Sequence, residues 1–210
     1  VPDGLAHHIV VMANPGAEDR TATVTVVAGD LRRPGVAPTG VLPGPGLTQV
    51  PVPAGERVAL RLGDVLQAPL AAAVVEVDGG GVAVEHQVTG PQGADVTPCS
   101  SFAAPAWHFA WGTTTRDARE LVVFFNPFPS PATIDGVFMT EDGPREPTRL
   151  QGFPVPARSV VGIDLGDDVT RSQQVAATFR ARSGRVVVER VTQIDGSLGV
   201  RGLTLGAVRG

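Results

Sequence analysis

The sequence predicts an all-β chain made of two copies of one module laid end to end. Three observations support this prediction: apolar residues alternate with a period of two, Gly and Pro interrupt the chain often, and one series of motifs occurs twice. Among 210 residues there are 26 Gly and 19 Pro. They lie between short apolar runs, which favours many short strands joined by turns.

Composition and charge exclude several functions. The formal net charge is −4, all basic residues are Arg, and the basic residues form no cluster. A nucleic-acid partner is therefore not expected, because phosphate neutralisation needs concentrated positive charge. No apolar run approaches the roughly 20 residues of a membrane-spanning helix, so no membrane span is expected. Because Val1-Pro2-Asp3 shows neither an initiator Met nor a signal-peptide pattern, we expect a piece of a longer exported protein.

Three pairs of segments carry the repeat. Segments 8–15, 52–64 and 80–85 match segments 120–127, 155–167 and 184–189, in the same order. The offset between the copies falls from 112 to 103 residues within the Gly- and Pro-rich stretch 32–51, which is longer in copy one. Self-similarity of this kind indicates an internal duplication.

The two asparagines of the chain stand at the same place in the repeat. They are Asn14, followed by Pro15, and Asn126, followed by Pro127. A residue before Pro is biased away from the α region, and an Asn side chain can bond nearby backbone groups. We predict that each Asn-Pro pair closes a structural turn after a strand; a ligand contact from the amide is the alternative.

Within each copy the apolar residues alternate as they do in strands. The strands are predicted at 22–27, 58–62, 71–77 and 82–87 in copy one, and at 121–125, 133–140, 159–165, 175–181 and 186–194 in copy two. Segment 71–77 is apolar throughout, which indicates a strand buried on both faces, with a short helix as the alternative. Glycine at 78–81 and 182–185 predicts hairpin turns.

Five to seven strands per roughly 100 residues predict two tandem immunoglobulin-like β-sandwich domains. We place repeat 1 at residues 1–95, a linker at 96–106 and repeat 2 at 107–210. Repeat 1 is expected to lack its first strand, and repeat 2 to end with the start of a further linker. The alternative is a single large sheet or barrel that spans both copies.

An aromatic segment precedes copy two and has no equivalent before copy one. Trp107 and Trp111 are four residues apart, so on an extended strand both side chains project to one side, with Phe109 between them. We predict them as ligand-binding residues that stack on a sugar ring or a partner protein. The alternative is that they fill the interface between the two sandwiches.

No catalytic or metal-binding constellation is evident, and the chain is predicted not to be an enzyme and to need no cofactor. Cys99 lacks the sequence signature of a protease nucleophile and has no second cysteine to pair with. A small buried or half-buried residue is expected there, and a bridge to another part of the parent chain is the alternative. Adjacent His7 and His8 would point to opposite faces of a strand and chelate one metal poorly.

Acidic residues are interpreted as structural. Glu85 and Glu189 share one repeat position, and for each we expect an ion pair with an arginine on the strand face. The acidic pairs at 141–142 and 167–168 lack a calcium-loop pattern and are predicted to be solvated turns.

The motifs together resemble a known group of sequences. An apolar strand ending in Asn-Pro, then alternating Val and Thr, then Val-Pro-Ala with Leu-Gly-Asp, then Val-x-Val-Glu resembles actinobacterial secreted or cell-envelope proteins of unknown function. That resemblance implies tandem immunoglobulin-like repeats and no catalytic residues. We therefore expect a non-enzymatic extracellular structural, scaffold or adhesion module of the bacterial cell envelope, whose partners are other repeats of the parent chain, a cell-wall glycan or an envelope protein. The alternative is a glycan- or protein-binding module that uses the aromatic pair at the domain junction.

Overall fold

The computed structural model describes residues 8–31, 43–65, 68–90, 93–194 and 200–208, and His7 lies outside them. The strands in these ranges are β1 (His8–Ala13), β2 (Arg20–Leu31), β3 (Pro43–Val52), β4 (Arg57–Arg61), β5 (Leu70–Val77), β6 (Ala83–Gly90), β7 (Gly93–Pro98), β8 (Ala106–Phe109), β9 (Ala118–Asn126), β10 (Ala132–Thr140), β11 (Gly143–Arg145), β12 (Phe153–Val155), β13 (Ser159–Asp164), β14 (Val175–Ser183), β15 (Val187–Ile194) and β16 (Val200–Leu205). One helical turn, α1, covers Leu62–Val65, and short 3-10 turns cover Thr148–Leu150 and Leu165–Asp167. The prediction of an all-β fold is confirmed.

The same strand order occurs in both copies. Copy one forms a sheet in the order β4-β1-β6-β7, and copy two repeats it as β13-β9-β15-β16. Facing these sheets, β2 pairs with β3 and β5, while β10 pairs with β11, β12 and β14. All pairings within a copy are antiparallel, so each copy consists of two antiparallel sheets packed face to face.

Each copy encloses its own apolar core between its two sheets. The core of copy two is dominated by aromatic rings: Phe179 lies edge-on to Phe124 and Phe138, with ring centroids 5.0 and 5.8 Å apart. Such edge-to-face pairs are favourable beyond the area they bury. The core of copy one is aliphatic and includes Met12 and Val24, which are fully buried.

The two copies are joined by a continuous sheet, which the expectation of two separate domains did not include. Gly29–Leu31 of β2 pairs in parallel with Val160–Gly162 of β13, so one seven-stranded sheet contains strands of both copies. The reason is local, because glycine lets the two strands approach closely. A Cβ on Gly29 would lie 2.6 Å from the Cβ of Val160, and a Cβ on Gly162 would lie 2.5 Å from Leu70.

A second apolar contact reinforces this joint. Val27 and Leu70 of copy one pack with Phe125 and Val160 of copy two. Strand β5 is central to the arrangement, because alternate residues of this strand face the core of copy one and the outer surface of copy two. The segment predicted as a strand with two buried faces is therefore a strand and not a helix.

The short strands β11 and β12 were not predicted, and three longer strands were missed for identifiable reasons. Strand β3 lies in the Gly- and Pro-rich stretch interpreted as a loop; it tolerates Pro because it is an edge strand of its sheet. Strands β7 and β16 occupy the two regions interpreted as linkers. Consequently copy one extends to Pro98, and the connection to β8 is Cys99–Pro105. In the described part of the chain, no helix is long and apolar enough to cross a membrane.

The close approach of β2 and β13 predicts an effect of a single methyl group. Gly29→Ala should lower the free energy of unfolding by about 1–3 kcal/mol, because the added carbon clashes with the backbone and side chain of Val160. Urea unfolding would measure this. Val96→Ile is the control, because it adds one carbon to a side chain that is 47 % exposed. Equal stability of the two variants would contradict the prediction.

Candidate functional site

Asn14 closes the turn that follows the first strand of copy one. Its Nδ2 donates hydrogen bonds to the carbonyl oxygens of Glu18 and Val52 at 2.8 and 2.9 Å. Its Oδ1 accepts the backbone N–H of Gly16 at 3.0 Å. The side chain is buried, and so it satisfies backbone groups that would otherwise lack partners in the interior.

Asn126 makes the matching set of contacts in copy two. Its Nδ2 donates to the carbonyl oxygens of Ser130 at 2.9 Å, Val155 at 3.3 Å and Pro156 at 3.1 Å, and its Oδ1 accepts the N–H of Phe128 at 3.0 Å. The bonds to Ser130, Val155 and Phe128 are at the repeat positions of those made by Asn14, and the bond to Pro156 is additional. Both amides are therefore fully engaged by their own backbone.

The prolines after the two asparagines differ in environment. Pro15 is exposed, whereas Pro127 is half-buried. Pro127 also lines a cavity between the two copies. Neither proline donates a backbone hydrogen bond, which suits positions where the chain leaves a strand.

The two tryptophans do not form the platform predicted from their spacing. Trp107 is only 1 % exposed and its indole N–H donates to the carbonyl oxygen of Val186 at 2.7 Å, so it belongs to the core of copy two. Trp111 is 53 % exposed. Strand β8 ends at Phe109, and the alternation that would have aligned the two rings stops there. A binding role stays a prediction for Trp111 alone.

A cavity of about 660 Å³ lies along β5 and is here called the β5 groove. One wall is the inner face of copy one and includes Ala73 and Val75. The opposite wall is the outer face of copy two and includes Phe125 and Val187. The connection that starts at Cys99 lines its mouth. The lining is mostly aliphatic, which suits apolar occupants.

Three polar side chains at the groove form a chain that crosses from copy one to copy two. Nδ1 of His8 lies 2.9 Å from Nε2 of His86, and Nδ1 of His86 lies 3.2 Å from Oε1 of Glu189. Glu189 was expected to pair with an arginine; it pairs instead with a histidine of the other copy. Its repeat equivalent, Glu85, is exposed. The difference arises because Glu189 lies on the outer face of copy two at a place where copy one packs against it, whereas Glu85 lies on an exposed face of β6.

Copy two has an ion pair where copy one has the two histidines. Glu120 and Arg190 occupy the repeat positions of His8 and His86, with Arg190 Nε 3.4 Å from Glu120 Oε2. Glu120 is completely buried and accepts hydrogen bonds from the Thr192 hydroxyl and the Thr113 N–H. Burial raises the pKa of Glu120, while Arg190 acts in the opposite direction.

Cys99 is a poor nucleophile in this setting. Desolvation, followed by the negative charges of Glu189 and Glu85, raises the pKa of its thiol to about 11. The thiol is therefore protonated at neutral pH, and the reactive thiolate is scarce. Cys99 was expected to be a small buried or half-buried residue; in the structure it is exposed and lines the β5 groove.

His86 is bonded on both sides, because each of its ring nitrogens has a partner. In the described ranges, no group of three or more His, Cys, Asp or Glu side chains is placed to hold a metal ion. With its mostly apolar walls, the groove is suited to binding apolar side chains.

One acidic pair differs from its expected solvated turn. Asp168 is almost buried and forms a bidentate ion pair with Arg149, with both N···O distances at 2.6 Å. Asp167 is more exposed and lies 3.6 Å from the same guanidinium. Glu141 accepts the backbone N–H of Gln173, so that carboxylate closes a loop.

The groove and the His8–His86–Glu189 chain were missed by sequence reasoning. The contact between β6 and β15 depends on how the copies pack, which a strand pattern does not specify. The sequence nevertheless contained a signal. The repeat alignment pairs His8 and His86 of copy one with Glu120 and Arg190 of copy two. That substitution of two charged residues by two histidines marks a position where the copies differ.

Removing the side-chain amide donor of Asn126 should destabilise the fold. Asn126→Asp keeps the size of the side chain but places an oxygen beside the carbonyl oxygens of Ser130 and Pro156. We expect the free energy of unfolding to fall by at least about 2 kcal/mol, because buried acceptors lose their donor. Chemical denaturation measures this, with exposed Gln49→Glu as the amide-to-carboxyl control. Similar stabilities for the two variants would refute the role of Asn126.

Glu120 predicts a pH dependence with a defined sign. Because burial raises its pKa above the ordinary 4.5, ionising it in the folded state costs stability. The stability of the wild type relative to Glu120→Gln should be greatest below pH 4.5 and should decline as the pH rises through the raised pKa. Unfolding titrations from pH 4 to 8 test this, with exposed Glu56→Gln as the control. A difference independent of pH would oppose it.

Comparison with known proteins places the chain in a family but does not give it a function. No curated protein matches the sequence. A solved structure described as a candidate secreted protein from Parabacteroides distasonis aligns with 99 % of this chain and 76 % of its own, at 11 % identity and a TM-score of 0.25. Residues 91–202, more than half of the chain, match a family of unknown function. The chain belongs to that family of unknown function, DUF5719.

Proposed function

We propose that the chain is a non-enzymatic extracellular module of the bacterial cell envelope, acting as a structural, scaffold or adhesion element. It is composed of tandem sandwiches that are immunoglobulin-like in having two antiparallel sheets packed over a shared core. Its partners are other repeats of the parent chain and a cell-wall glycan or envelope protein. The resemblance to actinobacterial secreted proteins supports this location.

The observation that carries the proposal is the sheet shared by the two copies. Hydrogen bonds between β2 and β13 and the packing of Leu70 on Val160 tie the copies into one unit. A flexible linker would let the copies rotate independently, whereas a continuous sheet fixes their relative direction. A fixed tandem unit is suited to spacing and presentation at a surface.

The chemistry of the groove supports the non-enzymatic part of the proposal. The thiol of Cys99 is held in its protonated form, and His86 is bonded on both nitrogens. A hydrolytic site would instead require a nucleophile, a base and an oxyanion-binding group converging on one point. The aromatic-platform alternative has less support, since the ring of Trp107 is in the core.

The mechanical part of the proposal predicts cooperative unfolding. Both copies should unfold in a single calorimetric transition, because separating them breaks the shared sheet. Gly29→Ala should divide this single transition into two, whereas the exposed Val96→Ile should keep one. Two independent transitions in the wild type would contradict a rigid tandem unit.

Location and activity are tested in cells that produce the parent protein. An epitope tag placed beside this module should be labelled by antibody on intact cells and lost on treatment with external protease. Labelling only after permeabilisation would overturn the extracellular assignment. Turnover of a cell-wall glycan or ester by the purified chain, abolished by changing one polar residue, would overturn the non-enzymatic assignment.

A further inference from the structure

The two copies differ at one edge of one sheet. In copy two, β14 is paired on one side by β10 and on the other by β8. In copy one the equivalent of β14 is β5, and among the strands that the structure describes only β2 pairs with it. The edge of β5 that corresponds to the β8 side of β14 therefore faces the β5 groove.

The register of β8 shows what that edge can accept. Phe109 lies opposite Ala177 and Trp107 lies opposite Phe179, and both aromatic rings point into the core of copy two. Applying the repeat offset, the counterparts of Ala177 and Phe179 are Ala73 and Val75. Both of these residues line the β5 groove.

The backbone groups that hold β8 in copy two also have counterparts at the groove. Ala104 exchanges two hydrogen bonds with Val186, at 3.0 and 3.1 Å, and Ala181 donates to the carbonyl oxygen of Pro105 at 2.7 Å. The equivalents of Val186 and Ala181 in copy one are Val82 and Val77. Both line the groove, so the same main-chain donors and acceptors border the empty space.

Burial shows that the interior of copy one is left partly open on this side. Phe179, Val186 and Val188 of copy two are 1 % exposed or less. Their counterparts in copy one are Val75, Val82 and Val84, which are only partly buried. Among the described residues, none covers these side chains of copy one as the rings of β8 cover their counterparts in copy two.

We propose that the β5 groove is an acceptor site for an extended polypeptide segment that adds to β5 as an antiparallel strand. The segment carries bulky apolar side chains at alternate positions, as β8 does. Main-chain hydrogen bonds to the β5 edge provide affinity, and the side chains that enter the groove provide selectivity. The copy-two arrangement supplies both the direction and the register of the bound strand.

The β5 groove admits smaller side chains than the site that β8 occupies in copy two. In copy two, Gly206 lies against the rings of β8, and a Cβ there would be 2.9 Å from Phe109 and 3.0 Å from Trp107. The counterpart of Gly206 is Cys99: each donates its N–H to the equivalent carbonyl oxygen of the central strand. The side chain of Cys99 therefore narrows the groove, and it favours a smaller side chain than Phe opposite it.

The proposal does not rest on the location of the protein, and it is tested with a synthetic peptide. The peptide has the sequence of residues 104–111, and its control carries Trp107→Asp and Phe109→Asp. Saturating peptide should slow alkylation of Cys99 in the whole chain several-fold, because the bound rings cover the thiol. The control peptide should leave the rate of alkylation unchanged.

A peptide with Phe109→Leu should bind more tightly than the original in a calorimetric titration.

Two variants of the protein locate the binding site. Ala73→Trp fills the groove and should weaken peptide binding by at least about tenfold, whereas the exposed Ala17→Trp should not. Cys99→Gly restores the space present at Gly206 and should strengthen binding of the unmodified peptide. Thermal melts of all variants establish that they are folded, and the alkylation assay on the wild type needs no substitution.

Several outcomes would overturn the proposal. Equal protection of Cys99 by the original and control peptides would show that no alternate pattern is recognised. Binding unaffected by Ala73→Trp would place the peptide elsewhere on the surface. A dimer of the chain that Ala73→Trp dissociates would make a second copy the occupant. Protection of Cys99 by cell-wall oligosaccharide and not by peptide would make the groove a glycan site.

Discussion

The parallel pairing of β2 with β13 is the constraint on which the rest of the structure depends. It exists because Gly29 and Gly162 lack side chains where two backbones meet. Because these strands pair, the outer face of β5 lies against copy two. The other contacts between the copies depend on this arrangement. The β5 groove is a consequence of this joint, since one of its walls belongs to each copy.

The duplication did not produce two equal modules. Copy two has β8 on its edge and an aromatic core sealed by Trp107 and Phe109. Copy one has an aliphatic core, and Val75, Val82 and Val84 at its margin are only partly buried. Among the residues that the structure describes, no strand of copy one pairs with β5 as β8 pairs with β14. An open edge beside an apolar groove is suited to strand addition.

The two copies carry different ionisable side chains at one pair of equivalent positions. Copy two buries Glu120 beside Arg190, at a cost reflected in the raised pKa of the carboxyl. Copy one replaces both residues by histidines, which also contact Glu189 across the interface. Burying an ion pair brings a desolvation penalty, whereas a histidine pair at the surface of the joint does not require two charges. The interface thus uses a polar contact that neither copy could make alone.

The sequence by itself determined the all-β class, the duplication and the positions of most strands, because alternation and the Asn-Pro turns are local properties. Asn14 and Asn126 were found for this reason: each bonds backbone within its own copy. Only the tertiary structure decided the burial of Trp107, the continuous sheet and the meeting of His86 with Glu189. Trp107 is buried because β8 pairs with β14 within copy two. The continuous sheet and the His86–Glu189 contact depend on the relative placement of the copies, which is set by close packing at Gly29 and leaves no periodic pattern in the chain.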